Sequence, residues 1–270
     1  MDNTLAILGV GTFGEVLLAG MLSSGTKPEQ LIVTGRRPER IAEITEKYSV
    51  RAGDVATAVS EAHALLLAVK PQDLGSLLDE IAPHLRPNQL VISVAAGVPT
   101  TFIEHRLGAS VAVIRAMPNT PAQVDEGMTV ISPGSHAGDT HLAQAEAIFA
   151  SVGRVLQLPE RQQDAVTALS GSGPAYFYFL VEAMIDAGIL LGLPRALAAD
   201  LIVQTALGSA RMLRDSGEHP VQLREAVTSP GGTTINAIRE LERHGVRSAL
   251  IEAIEAARDR SVELGKAYGN

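Results

Sequence analysis

A glycine-rich run near the N-terminus has residue spacing that indicates chemistry. It reads Gly9-Val10-Gly11-Thr12-Phe13-Gly14, the spacing GxGxxG, and directly follows the apolar run Leu5–Leu8. Glycines so placed allow a tight turn and let a pyrophosphate approach the backbone amides at a helix start. The alternative is a glycine turn with a structural role only. A strand before the run and a helix after it favour dinucleotide binding by Gly9, Val10, Gly11, Thr12, Phe13 and Gly14.

The segment after the second apolar run indicates which dinucleotide is bound. NAD-binding chains place an acid about 20 residues past the glycine motif, where it holds the ribose 2′-hydroxyl. Here that place holds Arg36 and Arg37, with no acid before Glu39. A guanidinium group suits a 2′-phosphate, whereas two solvated surface charges are the alternative. The sequence therefore predicts NADPH (NADP+) as the cofactor, contacted by Arg36 and Arg37, with NADH as a weaker alternative.

Three short segments after later strands extend the predicted cofactor site, because ligands bind at the carboxyl ends of parallel strands. Lys70 brings one of only four lysines to this edge, and the small residues at 95–97 let a flat ring lie close to the backbone. Asn119 offers a side-chain amide between two prolines. The alternatives are an exposed charge, simple packing and a rigid turn. The predicted contacts are Ala68, Val69, Lys70, Pro71, Ala95, Ala96, Gly97 and Asn119.

A second glycine-rich segment carries hydroxyl groups. It reads Thr228-Ser229-Pro230-Gly231-Gly232-Thr233-Thr234 and precedes a helical pattern at 235–241. Two glycines before a helix can form a nest of backbone amides that binds a carboxylate without a cation. An ordinary helix N-cap formed by Thr233 or Thr234 is the alternative, and both roles can hold together. Residues 228–234 are called the glycine nest below.

Composition excludes several classes of site. The 270 residues contain no cysteine, so disulfides, thiolate zinc sites and cysteine nucleophiles are impossible, and the seven histidines show no metal-ligand spacing with carboxylates. No metal is predicted. The net charge of −8 argues against nucleic acid or an anionic membrane as partner. The start Met1-Asp2-Asn3-Thr4 has no basic region or cleavage site, so no secretory signal is predicted and a cytoplasmic enzyme is expected.

Alternating patterns of strand and helix predict an α/β fold in the first part of the chain. Apolar runs that lack polar alternation indicate parallel strands covered on both faces. They lie at 5–8, 31–34, 64–69, 90–94 and 111–115, with two edge runs at 128–131 and 154–158. Helical patterns lie between them at 13–23, 38–48, 74–81 and 100–107. This order predicts a Rossmann-type, doubly wound parallel sheet over residues 1–158.

From residue 159 to residue 270 the pattern is helical, with no convincing strand. The longest apolar stretch, 174–193, contains Glu182 and Asp186 on one helix face, which favours a soluble helix buried in an interface over a membrane span. Other helices are apolar on more than one face, as at Leu197, Leu201 and Leu207. A domain of this size has little interior for them. An all-helical domain that forms a homodimer is therefore predicted.

Taken together, five motifs resemble those of the pyrroline-5-carboxylate reductase family, and the resemblance covers essentially the whole chain. They are GVGTFG at 9–14 with the preceding strand, AVKPQ at 68–72, AMPNTP at 116–121, DAVTALSGSGPAY at 164–176 and TSPGGTTINAI at 228–238. The resemblance implies a Rossmann domain and an interlocking helical dimerisation domain, sometimes assembled into larger oligomers of dimers. It also implies reduction of 1-pyrroline-5-carboxylate to L-proline by NAD(P)H without a metal.

The resemblance assigns the substrate carboxylate and ring nitrogen to Ser229, Gly232, Thr233 and Thr234, and a substrate-side acid to Glu160. Thr234 is our candidate for the catalytic residue that assists at the ring nitrogen. Ala226 stands where some relatives have asparagine, so this chain lacks a side-chain amide at that position. The chain has no lysine between Lys70 and Lys266, so it cannot use an interdomain lysine as general acid. The alternatives are an NADPH reductase of a related imino or keto acid, and a non-catalytic NADP-binding sensor.

Overall fold

The computed structural model describes residues 4–108 and 110–269, so that Met1–Asn3, part of the N-terminal segment considered above, lie outside the described residues. Its centre is one eight-stranded sheet in the order β3-β2-β1-β4-β5-β6-β7-β8, parallel throughout except between β6 and β7. The strands are β1 (Leu5–Leu8), β2 (Leu31–Thr34), β3 (Arg51–Ala52), β4 (Ala64–Leu67), β5 (Leu90–Ser93), β6 (Ala112–Met117), β7 (Gly127–Pro133) and β8 (Gly153–Gln157).

Six helices cover the two faces of this sheet. They are α1 (Thr12–Ser23), α2 (Pro38–Tyr48), α3 (Val55–Glu61), α4 (Pro71–Ile81), α5 (Thr100–Leu107) and α6 (Asp139–Ala150). The central strands are fully buried because both of their faces contact helices. Ile7 and Ile92 belong to one hydrophobic cluster, and Leu8 and Leu67 belong to the cluster on the opposite face. The doubly wound sheet predicted from the sequence is confirmed.

Three elements escaped the sequence prediction, each for a physical reason. The strand β3 has only two residues, both exposed, and therefore lacks an apolar run. The only sequence signal of the short helix α3 is its N-cap residue, Asp54, which accepts a hydrogen bond of 2.7 Å from the amide of Thr57. The helix α6 buries only Ala145 and Phe149, which is too narrow a stripe to stand out as a periodic pattern.

The rest of the chain is helical, and no strand occurs in its described residues 159–269. The helices are α7 (Gln163–Val166), α8 (Gly173–Leu190), α9 (Arg195–Ser216), α10 (Pro220–Ala226), α11 (Thr233–Arg243) and α12 (Val246–Lys266), with a π-helical turn at Thr167–Gly171. Close packing of α8 on α9 requires small residues, because a Cβ on Gly188 would lie 2.8 Å from the Cβ of Ala198.

The chain divides into two compact units. The first runs to Ser172 and resumes at Ala257, and the second is Gly173–Ala256. The helix α12 therefore begins in the second unit and ends in the first. The sequence instead predicts a cofactor-binding domain over residues 1–158 and a substrate-binding and dimerisation domain over residues 159–270. This functional division stays a prediction.

The second unit has almost no interior of its own. Among its residues only Gly173, Gly188 and Ala198 are buried. Large apolar side chains are exposed instead, with Phe179 exposed by 69% and Leu190 by 88%. By length and composition alone, the helical segment Glu160–Leu190 is long and apolar enough to cross a membrane. Contiguous exposed apolar surface of this kind marks an interaction surface.

Candidate functional site

The glycine-rich loop joins β1 to α1 at the carboxyl edge of the sheet. Gly9 has φ +103°, and a Cβ there would lie 2.8 Å from the carbonyl oxygen of Ala68. A Cβ on Gly14 would lie 2.3 Å from the carbonyl oxygen of Gly9, so α1 packs directly on the loop. Gly11 is different, because a Cβ there would meet nothing within 4 Å. The first and third glycines thus shape the turn, and the second leaves the approach to the helix open.

The start of α1 offers backbone donors to this open side. Its N-cap is Gly11, and no side chain caps it. The first amides of a helix have no intrahelical acceptors and carry the positive end of the helix dipole. Thr12 and Phe13 supply such amides at the exposed end of the turn. The loop therefore fits a pyrophosphate, as the spacing predicts.

A cavity of about 870 Å³ lies beside this loop and is called the cofactor cavity below. It is bounded by the carboxyl ends of β1, β2 and β4, which is where the order of the sheet reverses. Of the predicted cofactor residues, the structure brings eight together around it: Gly9, Val10, Gly11, Arg36, Arg37, Ala68, Val69 and Lys70. Such a volume is ample for the adenosine half of a dinucleotide.

The two adjacent arginines of the cofactor cavity are in different electrostatic states. Arg36 forms a bidentate ion pair with Asp73, with N–O distances of 3.0 and 2.8 Å, although its own side chain is 81% exposed. Arg37 is also exposed, and within the part of the chain that the structure describes it has no ion pair. A negatively charged ligand in the cavity would compete with Asp73 for Arg36 but would find Arg37 available.

A third arginine, Arg40, was missed by the sequence analysis. It lines the cofactor cavity, and its Nε donates a hydrogen bond of 3.3 Å to the carbonyl oxygen of Val10 in the glycine-rich loop. Its guanidinium also pairs with Glu15 of α1 and Glu43 of α2. Arg40 lies in the first turn of α2, only three residues after Arg37, the N-cap of that helix, and this nearness could have identified it.

Glu15 connects the first turns of α1 to α2. It accepts hydrogen bonds from Lys47, Arg40 and Tyr48. Burial opposes ionisation of Glu15, but these three donors outweigh it and lower the pKa of its carboxyl from 4.5 to about 2. Glu15 is therefore an ionised brace that holds Arg40, and through Arg40 the glycine-rich loop, at neutral pH.

Other predicted cofactor residues lie outside the lining of the cofactor cavity. Thr12, Phe13, Gly14 and Pro71 belong to the first turns of α1 and α4, whereas Ala95, Ala96 and Gly97 follow β5 at the same edge of the sheet. Gly97 has φ +75°, and a Cβ there would lie 3.4 Å from the Cβ of Leu264. The loop 95–97 is thus packed against the C-terminal part of α12. Its contact with the cofactor stays a prediction.

Asn119 has both ends of its side-chain amide engaged. Its Oδ1 accepts a hydrogen bond of 2.8 Å from the amide of Met128, and its Nδ2 donates one of 3.1 Å to the carbonyl oxygen of Ser170 in the π-helical turn. It therefore ties the end of β6 to the start of β7 and to that turn. Its predicted cofactor contact is untested and stays a prediction.

Glu160 likewise has partners for both carboxylate oxygens. Oε1 accepts a hydrogen bond of 2.7 Å from the amide of Thr100 and lies 3.4 Å from Nη1 of Arg115. Oε2 accepts a hydrogen bond of 2.5 Å from the Thr100 hydroxyl. Glu160 thereby acts as a remote cap for the first turn of α5. The substrate contact implied by the family resemblance stays a prediction.

The glycine nest has the open geometry expected of an anion site. Gly231 has φ +71°, the N-cap of α11 is Gly232, and no side chain caps the helix. Among the described residues the hydroxyls of Ser229, Thr233 and Thr234 have no hydrogen-bond partner. A helix cap formed by Thr233 or Thr234, the alternative interpretation, is therefore absent here. The amide of Gly232 donates to the carbonyl oxygen of Ser229, whereas the amides of Thr233 and Thr234 and the three hydroxyls remain free for a ligand.

Comparison with known proteins adds to this geometry. Residues 160–264 match the family model described as pyrroline-5-carboxylate reductase dimerisation, and residues 4–97 match the one described as NADP oxidoreductase, coenzyme F420-dependent. The chain is 46% identical over 269 residues to a pyrroline-5-carboxylate reductase of Synechocystis sp., covering 98% of this chain and 100% of that protein.

Two solved structures share the same fold along the whole chain. A pyrroline-5-carboxylate reductase from Coxiella burnetii has a TM-score of 0.93 at 37% identity, covering 98% of this chain and 99% of that one. The Plasmodium falciparum pyrroline carboxylate reductase, solved with NADP bound, has a TM-score of 0.88 at 31% identity with the same coverage of both chains.

Proposed function

Because the chain belongs to the pyrroline-5-carboxylate reductase family, we propose that it reduces 1-pyrroline-5-carboxylate to L-proline with NADPH, the last step of proline biosynthesis. The observation that carries this proposal is the full-length match to that family, in sequence and in fold. Within the chain, a glycine-rich loop beside an arginine-lined cavity and a separate glycine nest supply the two kinds of site that the reaction needs.

NADPH supplies the hydride that this reaction adds to the carbon of the C=N bond. The chain's own contribution is to hold the dinucleotide. The amides at the start of α1 bind the pyrophosphate, and Arg37 with Arg36 binds the 2′-phosphate. Arg40 braces the loop through the carbonyl of Val10. The absence of an acid at the end of β2 removes the group that would favour NADH.

The glycine nest binds the substrate carboxylate. Amides at the start of α11 need no cation to hold an anion, and Ser229 and Thr233 add hydroxyl donors. Thr234 then orients the ring nitrogen, to which the carbon bearing the carboxylate is bonded directly. A protonated cyclic imine is already electrophilic, so the site needs positioning more than it needs a strong acid. A site built of amides and hydroxyls suits that substrate better than a ketone.

The chain works as a homodimer formed by the helical region from residue 159 onward. Two observations support this assembly. Residues 160–264 match a dimerisation family, and only three residues of the second unit are buried within the chain itself. Exposed side chains such as Phe177, Phe179 and Leu190 supply the apolar surface. Further assembly of dimers, a cytoplasmic location, and the absence of nucleic-acid and membrane partners complete the proposal.

Turnover is the decisive experiment. Purified protein is mixed with NADPH and 1-pyrroline-5-carboxylate, and both the loss of absorbance at the NADPH band and the formation of proline are followed. Stoichiometric proline formation is expected. Oxidation of NADPH with a related imino or keto acid but not with this imine would indicate the alternative reductase. Binding of NADPH without turnover of any of these would indicate a sensor.

A further inference from the structure

A partly buried polar cluster around one buried arginine lies at the same sheet edge as the cofactor cavity, two strands further along. It consists of Thr100, Arg115, Glu160, Asp164 and Ser261, and is called the Glu160 cluster below. Arg115 projects from β6 with only 5% of its side chain exposed. The cluster is unusual because a charged group in such a place is costly unless it is paired.

The Glu160 cluster is centred on two carboxylates around one guanidinium. Glu160 Oε1 lies 3.4 Å from Nη1 of Arg115, and Asp164 Oδ1 lies 4.0 Å from its Nη2. Asp164 also accepts a hydrogen bond of 2.7 Å from the hydroxyl of Ser261 in α12. The Nη2 atom is fully buried and has no hydrogen-bond partner within the described part of the chain. Arg115 thus holds both carboxylates near one point of β6.

Glu160 links Arg115 to the start of α5. It accepts from both the amide and the hydroxyl of Thr100, which is the first residue of that helix. Thr100 follows the loop 95–97 by only three residues, and the intervening Val98 is fully buried. Fixing Thr100 therefore fixes the loop from its C-terminal side.

Ser261 fixes the part of α12 that packs against the other side of the loop 95–97. It lies one turn before Leu264 in α12, and Leu264 approaches Gly97 closely enough that a Cβ on the glycine would be 3.4 Å from the Leu264 Cβ. The loop 95–97 therefore lies between two elements, α5 and α12. The helix α5 is linked to β6 through Glu160, and α12 is hydrogen-bonded to Asp164, whose carboxylate lies 4.0 Å from Arg115.

We propose that Glu160 is a positioning residue, which acts through Thr100 to hold the loop 95–97 in the conformation that reduction requires, and that it does not contact the substrate. The proposal rests on the proposed function, because the loop matters for the rate only if the chain reduces a substrate with a bound dinucleotide. Small displacements of a group that orients a reactant lower the rate of the chemical step more than they weaken binding.

Two conservative variants and their combination test the proposal. Glu160→Gln removes the charge while keeping the shape, and Thr100→Val removes the hydroxyl that donates to Oε2. Each is expected to lower kcat by roughly ten-fold, with the KM for the imine changed by less than about two-fold. Because both variants disrupt the hydrogen bonding of Glu160 to Thr100, and Thr100→Val affects only the bond to Oε2, the double variant should be about as slow as the slower single variant. Thr100→Ser keeps the hydroxyl and should restore kcat.

A second readout is independent of activity. Hydrogen–deuterium exchange of the amides in residues 95–100 should be faster in Glu160→Gln and Thr100→Val than in the wild type, in protein without cofactor or substrate, by about ten-fold. Thr101→Val is the matched control, since Thr101 is exposed and is the neighbouring residue of the same helix. It should leave both exchange and kcat unchanged. If Glu160→Gln fails to fold, Thr100→Val alone still provides both readouts.

Three results would overturn the proposal. The first is a higher KM for the imine at unchanged kcat in Glu160→Gln, which would mean that Glu160 contacts the substrate. The second is a multiplicative loss in the double variant. The third is unchanged exchange in residues 95–100. Failure of the wild type to reduce 1-pyrroline-5-carboxylate would instead refute the proposed function, and the exchange measurement would still decide whether Glu160 fixes the loop.

Discussion

Replacing Arg37 by alanine is expected to remove most of the preference for NADPH over NADH. Arg37 has no ion pair among the described residues and lines the cofactor cavity, so its whole charge is available to a 2′-phosphate. Loss of one hydrogen bond to a charged group costs about 1.5–3 kcal/mol, which is roughly a ten- to hundred-fold increase in the KM for NADPH. The KM for NADH should stay within about two-fold, since NADH has no phosphate at that position.

Arg36 should contribute less, because its guanidinium is already bound at both ends by Asp73. An exposed pair of this kind contributes about 0–1 kcal/mol, which a 2′-phosphate must overcome to bind Arg36, so the increase in the KM for NADPH should be smaller in Arg36→Ala than in Arg37→Ala by up to about five-fold. Asp73→Asn is the matched control: it removes an anion from the cavity and frees Arg36. It should therefore lower the KM for NADPH.

Steady-state kinetics with both cofactors at saturating imine provide the test, and the double variant Arg36→Ala, Arg37→Ala should show the largest change in the NADPH to NADH ratio. Equal losses with NADPH and NADH would refute the assignment of the 2′-phosphate to these arginines. A larger loss in Arg36→Ala than in Arg37→Ala would refute the reasoning from the Asp73 pair, even if NADPH remains preferred.

Three further predictions concern the substrate, the acid stability and the assembly. Thr234→Ala should lower kcat/KM for the imine by roughly ten- to a hundred-fold without lowering Tm, since Thr234 caps nothing, and Thr234→Ser should recover much of the loss. Normal turnover with a lower Tm would show a structural role. Glu15 has a folded-state pKa of about 2, below its ordinary 4.5, so it stabilises the fold above pH 4.5 and this stabilisation is lost as pH falls towards 2. The free energy of unfolding should differ between the wild type and Glu15→Gln by about 1–2 kcal/mol at pH 7 and by almost nothing near pH 2; a constant difference would contradict this. Light scattering should give a multiple of twice the 28.3 kDa chain mass, with Phe179→Asp weakening the association, and an active monomer at high dilution would exclude the proposed dimer.

The fold was largely predictable because uninterrupted apolar runs indicate buried parallel strands. Leu5–Leu8 and Leu31–Thr34 have the bounds expected from the sequence. The strand expected at 111–115 extends instead to Met117, because its antiparallel pairing with β7 continues to Met117 and Val130. Register with a partner that is remote in sequence decides such ends, and local composition does not contain it.

The candidate site was predictable where backbone geometry depends on glycine and not where side chains choose among partners. Gly9 has the positive φ that the motif implies, and no other residue type fits Gly14. The sequence shows Arg36 and Arg37 as equivalent, and only the position of Asp73 on α4 separates them. Glu15 and Arg40 lie 25 residues apart, a pairing that only the fold brings about.

The return of α12 to the first unit has a consequence for biosynthesis of the chain. A nascent polypeptide that already contains all eight strands still lacks Tyr268, whose ring packs edge-on against Phe102 at 5.0 Å, and Ser261, which is 4% exposed. The face of α5 that Tyr268 covers therefore remains open, and Asp164 lacks its Ser261 partner, until the whole helical unit has been synthesised. The segment 173–256 forms a long loop between the two parts of the first unit, and closing a long loop costs little more entropy than closing a shorter one. The order of synthesis, and not the cost of loop closure, therefore delays completion of the first unit. Residues 257–269 complete the first unit only after the intervening residues 173–256 have been synthesised, so this unit cannot finish folding when its eight strands have left the ribosome.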